Sequence, residues 1–83
     1  MAGNSKEARK ITDLAVQLLV EERQRLGYSQ RKLATLSGIS QSGLNFIERG
    51  ERRPTMEIVL QIADALEIEL WPVLQKAERT LRK

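Results

Sequence analysis

Apolar residues recur along this chain at steps of three and four and hardly anywhere at steps of two, the pattern of helices that each pack by one face. Ile11, Leu14, Ala15, Leu18, Leu19 and Leu26 fall on one side of a long first helix, and Gly27 is placed to stop it. Ser29 then stands where an N-cap belongs, ahead of a short helix from Gln30 to Ser37 that turns Leu33, Ala34 and Leu36 inward. Gly38 ends it, Ser40 repeats the cap, and a third helix from Gln41 to Arg49 turns Leu44 and Ile47 inward before stopping at Gly50. A polar basic loop, Gly50-Glu51-Arg52-Arg53-Pro54, leads to Thr55, which caps a fourth helix with Glu57 in its first turn. Ile58, Val59, Ile62, Ala63 and Leu66 are that helix's core stripe. From Leu70 a fifth helix accepts Pro72 in its first turn, and Lys76, Arg79, Arg82 and Lys83 form a solvated basic tail. No segment alternates apolar and polar residues between turn signals, so the fold class is all-α.

The 83 residues leave room for one domain, spanning 1–83, with residues 1–10 either flexible or extending the first helix. At 41% hydrophobic and 30% charged the chain is globular, and its longest apolar run is too short to cross a bilayer, so no membrane association is expected. The first residues lack the apolar stretch of a secretory signal, which makes a cytoplasmic location the expectation. There is no Cys and no His. That removes thiolate and imidazole metal sites, disulfides and every Ser-His or Cys-His nucleophile, so no metal, no cofactor and no enzyme activity are expected. Asp13, Glu21 and Glu22 are carboxylates, but on an exposed helix face they read as solvating charge.

A net charge of +3 says little by itself; its distribution says more. Between Arg23 and Arg53 the basic residues are Arg23, Arg25, Arg31, Lys32, Arg49, Arg52 and Arg53, against only Glu48 and Glu51. From Pro54 to Glu69 the only charges are Glu57, Asp64, Glu67 and Glu69. One basic face and one acidic face follow, and a polyanion would meet the first. The basic stretch encloses two short helices about a tight turn, a layout that lets one helix brace across the DNA backbone while the next lies in the major groove. The outward side of the third helix carries Gln41, Ser42 and Asn45, side chains able to exchange hydrogen bonds with base edges. Gly43, unfavourable inside a helix by roughly 1 kcal/mol relative to Ala, is expected to let backbone approach a phosphate or base.

Four spaced elements carry a resemblance: Ser29-Gln30-x-x-Leu33-Ala34, Gly38-Ile39-Ser40-Gln41-Ser42, Ile47-Glu48-Arg49-Gly50 and Arg52-Arg53-Pro54-Thr55. Together, over about Leu19 to Leu70, the chain resembles the phage repressor and Cro-type (XRE-like) helix-turn-helix family. The resemblance implies a compact five-helix bundle of the lambda-repressor-like type, with the helix-turn-helix at helices 2 and 3, running from about Gln30 to Glu48. It further implies base contacts from Gln41, Ser42, Asn45 and Phe46, the last an aromatic where many relatives are polar. Backbone contacts are implied for Gln30, Arg31, Ser40, Arg49, Arg52 and Arg53, with Gln30 also bracing Gln41. Arg23 and Glu48 match an ion pair that joins the first and third helices.

The function these features imply is a sequence-specific regulator of transcription that binds double-stranded DNA, a repressor acting as a homodimer on a palindromic operator. Ile11, Leu14 and Leu18 exceed what the family core needs and are available to a second subunit. Trp71 is either an interface anchor or a plug between the fourth and fifth helices. The alternative is a helix-turn-helix interaction module, antitoxin-like or coactivator-like, whose partner is protein, such as a toxin or RNA polymerase.

Overall fold

The computed structural model describes residues 5–82, which form five helices: α1 (Ser5–Arg25), α2 (Gln30–Ser37), α3 (Gln41–Glu48), α4 (Met56–Ala65) and α5 (Leu70–Leu81). Met1 to Asn4 and Lys83 lie outside the described residues, so of the expectation for residues 1–10 only the part from Ser5 onward is described, and there the chain is helical.

Each short helix begins where a hydroxyl can satisfy an orphan N–H. Ser29 Oγ accepts from Lys32 N at 3.0 Å, Ser40 Oγ from Gly43 N at 3.1 Å, and Thr55 Oγ1 from Ile58 N at 3.2 Å. Helix ends are equally local. After α1 the Tyr28 N–H reaches back to Arg23 O and the Gly27 N–H to Gln24 O, a Schellman motif that needs the left-handed φ of 75° at Gly27. After α4 the same pair of bonds forms at Glu67 and Ile68, but here a Glu holds the left-handed position at φ 60°.

The core joins all five helices through Leu19, Leu33, Leu44, Val59, Ile62, Ala63, Leu66 and Leu70. α1 makes its broadest contact with α5, and the two run antiparallel: Arg82 at the end of α5 donates to Glu7 at 2.8 Å, while Ile68 and Val73 lie beside Leu18 and Arg25. Ala77 is fully buried in α5, a small residue that lets the two helices approach. Beneath α2 and α3 lie α4 and the middle of α1, so the helix-turn-helix sits on a packed platform. No described helix is long and apolar enough to cross a membrane.

Several expectations change here. Leu36 is not inward but 50% exposed; it lies about 60° round α2 from Leu33, on the side away from Ala34 and past the cover of its neighbours. Trp71 is not a core plug: it is 62% exposed, with Nε1 donating to Glu69 Oε2 at 2.9 Å. Lys76, Arg79 and Arg82 do not form a tail, since α5 continues through Leu81 and Arg82 is tied to Glu7. Ile11, Leu14 and Leu18 are half-buried, and Leu18 lines a groove between α1 and α5.

Candidate nucleic-acid interface

The turn between α2 and α3 is fixed at three points. Gly38 adopts φ 77° and donates its N–H to Ala34 O, the Ile39 N–H donates to Ser37 Oγ at 3.3 Å, and Gln61 Nε2 of α4 donates to Ser37 O at 3.2 Å. The partly buried Ile39 packs against the core below. With the turn held, α3 is fastened by Leu44, fully buried, and Ile47.

One flank of α3 carries a polar brace. Arg23 of α1 donates from Nε and Nη2 to the two oxygens of Glu48, both at 2.8 Å, and from Nη1 to Tyr28 O at 2.7 Å. The two side chains are only 12% and 9% exposed, so the bidentate fork is largely shielded from water. Gln30, the first residue of α2, donates its amide to the same carboxylate at 2.9 Å and to Asn45 Oδ1 at 3.3 Å. Gln30 therefore braces Asn45 and Glu48, not Gln41 as expected. Asn45 and Glu48 are three residues apart and share this flank, whereas Gln41 opens the helix a turn away. Asn45 is half-buried, with its carbonyl oxygen engaged.

Gln41 and Ser42 are exposed and form no side-chain hydrogen bond among the described residues. An exposed amide and hydroxyl at the N-terminal end of a rigid helix can each offer a donor and an acceptor to a third molecule. Phe46, one turn on, is 38% exposed.

Gly43 is buried, and the structure shows an internal reason for a glycine at this position. A Cβ there would lie 2.9 Å from Ser40 Oγ, the hydroxyl that caps α3, and 3.5 Å from Arg52 Nη1. The missing side chain makes room for the cap.

Four arginines surround the exposed face. Arg31 projects from α2 to solvent. Arg49 pairs with Glu51 at 2.7 Å, and Arg53 lies 3.9 Å from Asp13 of α1; both pairs are largely solvated. Arg52 forms no ion pair among the described residues; its guanidinium lies 5.7 Å from the centroid of the Phe46 ring. Lys32, overlooked as a site residue, places its ammonium 4.3 Å from the centre of the Tyr28 ring. Asp13 was also overlooked here, because 40 positions separate it from Arg53 and no local pattern joins them. The carboxyl of Glu22, held below its ordinary range by hydrogen bonds from Arg25, lies on the other rim of α1, beside α5.

The helix-turn-helix family matches residues 19–70, from the second half of α1 to the first residue of α5. Among curated proteins, the chain is 43% identical over 44 residues to an uncharacterized HTH-type transcriptional regulator of Haemophilus influenzae, covering 53% of this chain and 45% of that protein. It is 36% identical over 70 residues to the cryptic phage CTXphi transcriptional repressor RstR of Vibrio cholerae, covering 77% of this chain and 62% of that one. The chain thus spans about half to three fifths of the length of these relatives. No solved structure matches it significantly. With the match covering more than half of the chain and both short helices of the motif, the chain belongs to the phage repressor and Cro-type (XRE-like) helix-turn-helix family of DNA-binding transcriptional regulators.

Proposed function

We propose that this chain is a sequence-specific DNA-binding repressor that acts as a homodimer on a palindromic operator, with α3 in the major groove. The observation that carries the reading is the contrast within α3. Its core side and one flank are locked by Leu44, Ile47 and the Arg23–Glu48–Gln30 network, while Gln41 and Ser42 face outward with unused hydrogen-bond capacity. A base-reading helix needs that combination, because discrimination depends on donors and acceptors held in one register against base edges.

In this reading Gln41 and Ser42 contact bases directly. Asn45 contributes its amide N–H groups, its oxygen being held by Gln30, and Phe46 meets a thymine methyl. Gln30, Arg31, Ser40, Arg49 and Arg53 hold the sugar-phosphate backbone, with the exposed Arg49 and Arg53 exchanging carboxylates for phosphates. The RstR relative, a transcriptional repressor by name, supports the sign of regulation. Exposed Leu36, Met56, Leu60 and Trp71 support a protein partner, for which a second copy is the simplest candidate.

Selection of bound duplexes from a random pool, followed by sequencing, tests the whole reading. A palindromic consensus with half-sites about one helical turn, ~34 Å, apart is expected, together with a dimer by light scattering on DNA. Binding without consensus, or a single unrepeated half-site on a monomer, would contradict it.

A further inference from the structure

Three arginines follow α3, and they are not in the same state. Arg49 and Arg53 face carboxylates in solvent-exposed pairs, whereas Arg52 lies against Phe46. Its Nη1 sits 3.5 Å from where a Gly43 Cβ would be, so the side chain runs back from the loop along the helix. Gly43 and Phe46 are three residues apart and form the flank of α3 opposite the one that Gln30 braces. The head group of Arg52 therefore rests beside the part of the helix that would enter the groove, not at the helix end where backbone contacts gather.

We propose that Arg52 is a specificity-determining residue: held on the Phe46 ring over the space that Gly43 leaves, its guanidinium reads a guanine in the major groove. This rests on the DNA-reading role proposed for α3. The chemistry suits the placement, because a guanidinium presents parallel donors that match guanine O6 and N7, and it stacks on an aromatic face as an ammonium does not. A fork already rested on a platform loses less rotamer freedom on binding than one drawn from solution. A phosphate also accepts the fork, so it is the aromatic platform and the position beside Gly43 that favour a base.

The test compares the full chain with R52K, R52A and F46L on the duplex selected from the random pool and on duplexes with each guanine replaced in turn. Circular dichroism first verifies that the variants keep the fold; Arg52 is exposed and outside the core. The wild type is expected to prefer one guanine over its replacement by roughly 5- to 150-fold, the range of one bidentate contact. In R52K, which keeps the charge, that preference collapses while affinity for the replaced duplex hardly changes, and F46L lowers it in part. If R52K keeps the preference at every guanine, or R52A weakens all duplexes by one common factor, Arg52 only neutralises phosphate and the assignment fails while the regulator reading stands. A pool that yields no consensus for the wild type overturns the regulator reading and this assignment with it.

Discussion

The two long sides of α3 are built on opposite terms. Toward the body of the protein, Leu44 and Ile47 are buried, and Glu48 accepts three hydrogen bonds from Arg23 and Gln30. Away from it, the side chains of Gln41 and Ser42 form no hydrogen bond among the described residues, and Phe46 is partly exposed beside the Arg52 guanidinium. An eight-residue helix is too short to be stable alone, so its order must come from the first side if the second is to present a defined surface. The difference assigns separate consequences to substitution: damage at the back should unfold or loosen the domain, and damage at the front should leave it folded and alter what it recognises.

The largest expected effect is at the back. Leu44→Ala removes a fully buried side chain shared by α1, α2 and α4 and should cost about 2–5 kcal/mol, visible as a large drop in the denaturant midpoint. Glu48→Ala strands the Arg23 guanidinium with little access to water and should cost about 2–4 kcal/mol, with much less lost when Arg23 is replaced by Met in the same chain. A Glu48→Ala domain as stable as the parent would show that the brace contributes no rigidity. At the front edge, Arg53→Ala should leave thermal melting unchanged, weaken specific and random DNA alike, and reduce the salt slope of binding by about one. The smallest effect lies outside α3. Glu67→Gly relieves a left-handed residue at the end of α4 and should stabilise the domain by about 0.5–1 kcal/mol without touching DNA binding.

Helix boundaries were legible in the sequence because capping is local. Ser29, Ser40 and Thr55 each serve an N–H three residues on, and Gly27, Gly38 and Gly50 each take a positive φ that other residues resist. Burial was less legible where it depends on the cover a neighbour supplies. Leu36 fits the inward period of α2, yet nothing reaches over it, and Trp71 stays outside although α4 and α5 pack together. Contacts distant in sequence were legible only through family resemblance, as with Arg23 and Glu48, 25 positions apart, or not at all, as with Asp13 and Arg53. The partner of Gln30 was misplaced for a geometric reason: from the first turn of α2 its amide meets the later flank of α3, Asn45 and Glu48, rather than the start of that helix. The fit of Gly43 against the Ser40 cap is not legible in sequence, because a helix-breaking residue does not announce what fills its space.

A helix with a supporting side and a reading side should separate the two at Gln41→Ala, an exposed residue of the reading side. Binding of wild type and variant to the selected duplex and to random duplex would be measured alongside thermal melting. An unchanged melting temperature is expected, with a loss of roughly 1–3 kcal/mol on the selected duplex, preference relaxed at one base pair, and little loss on random DNA. An equal loss on both duplexes, or a melting temperature that falls with affinity, would contradict it.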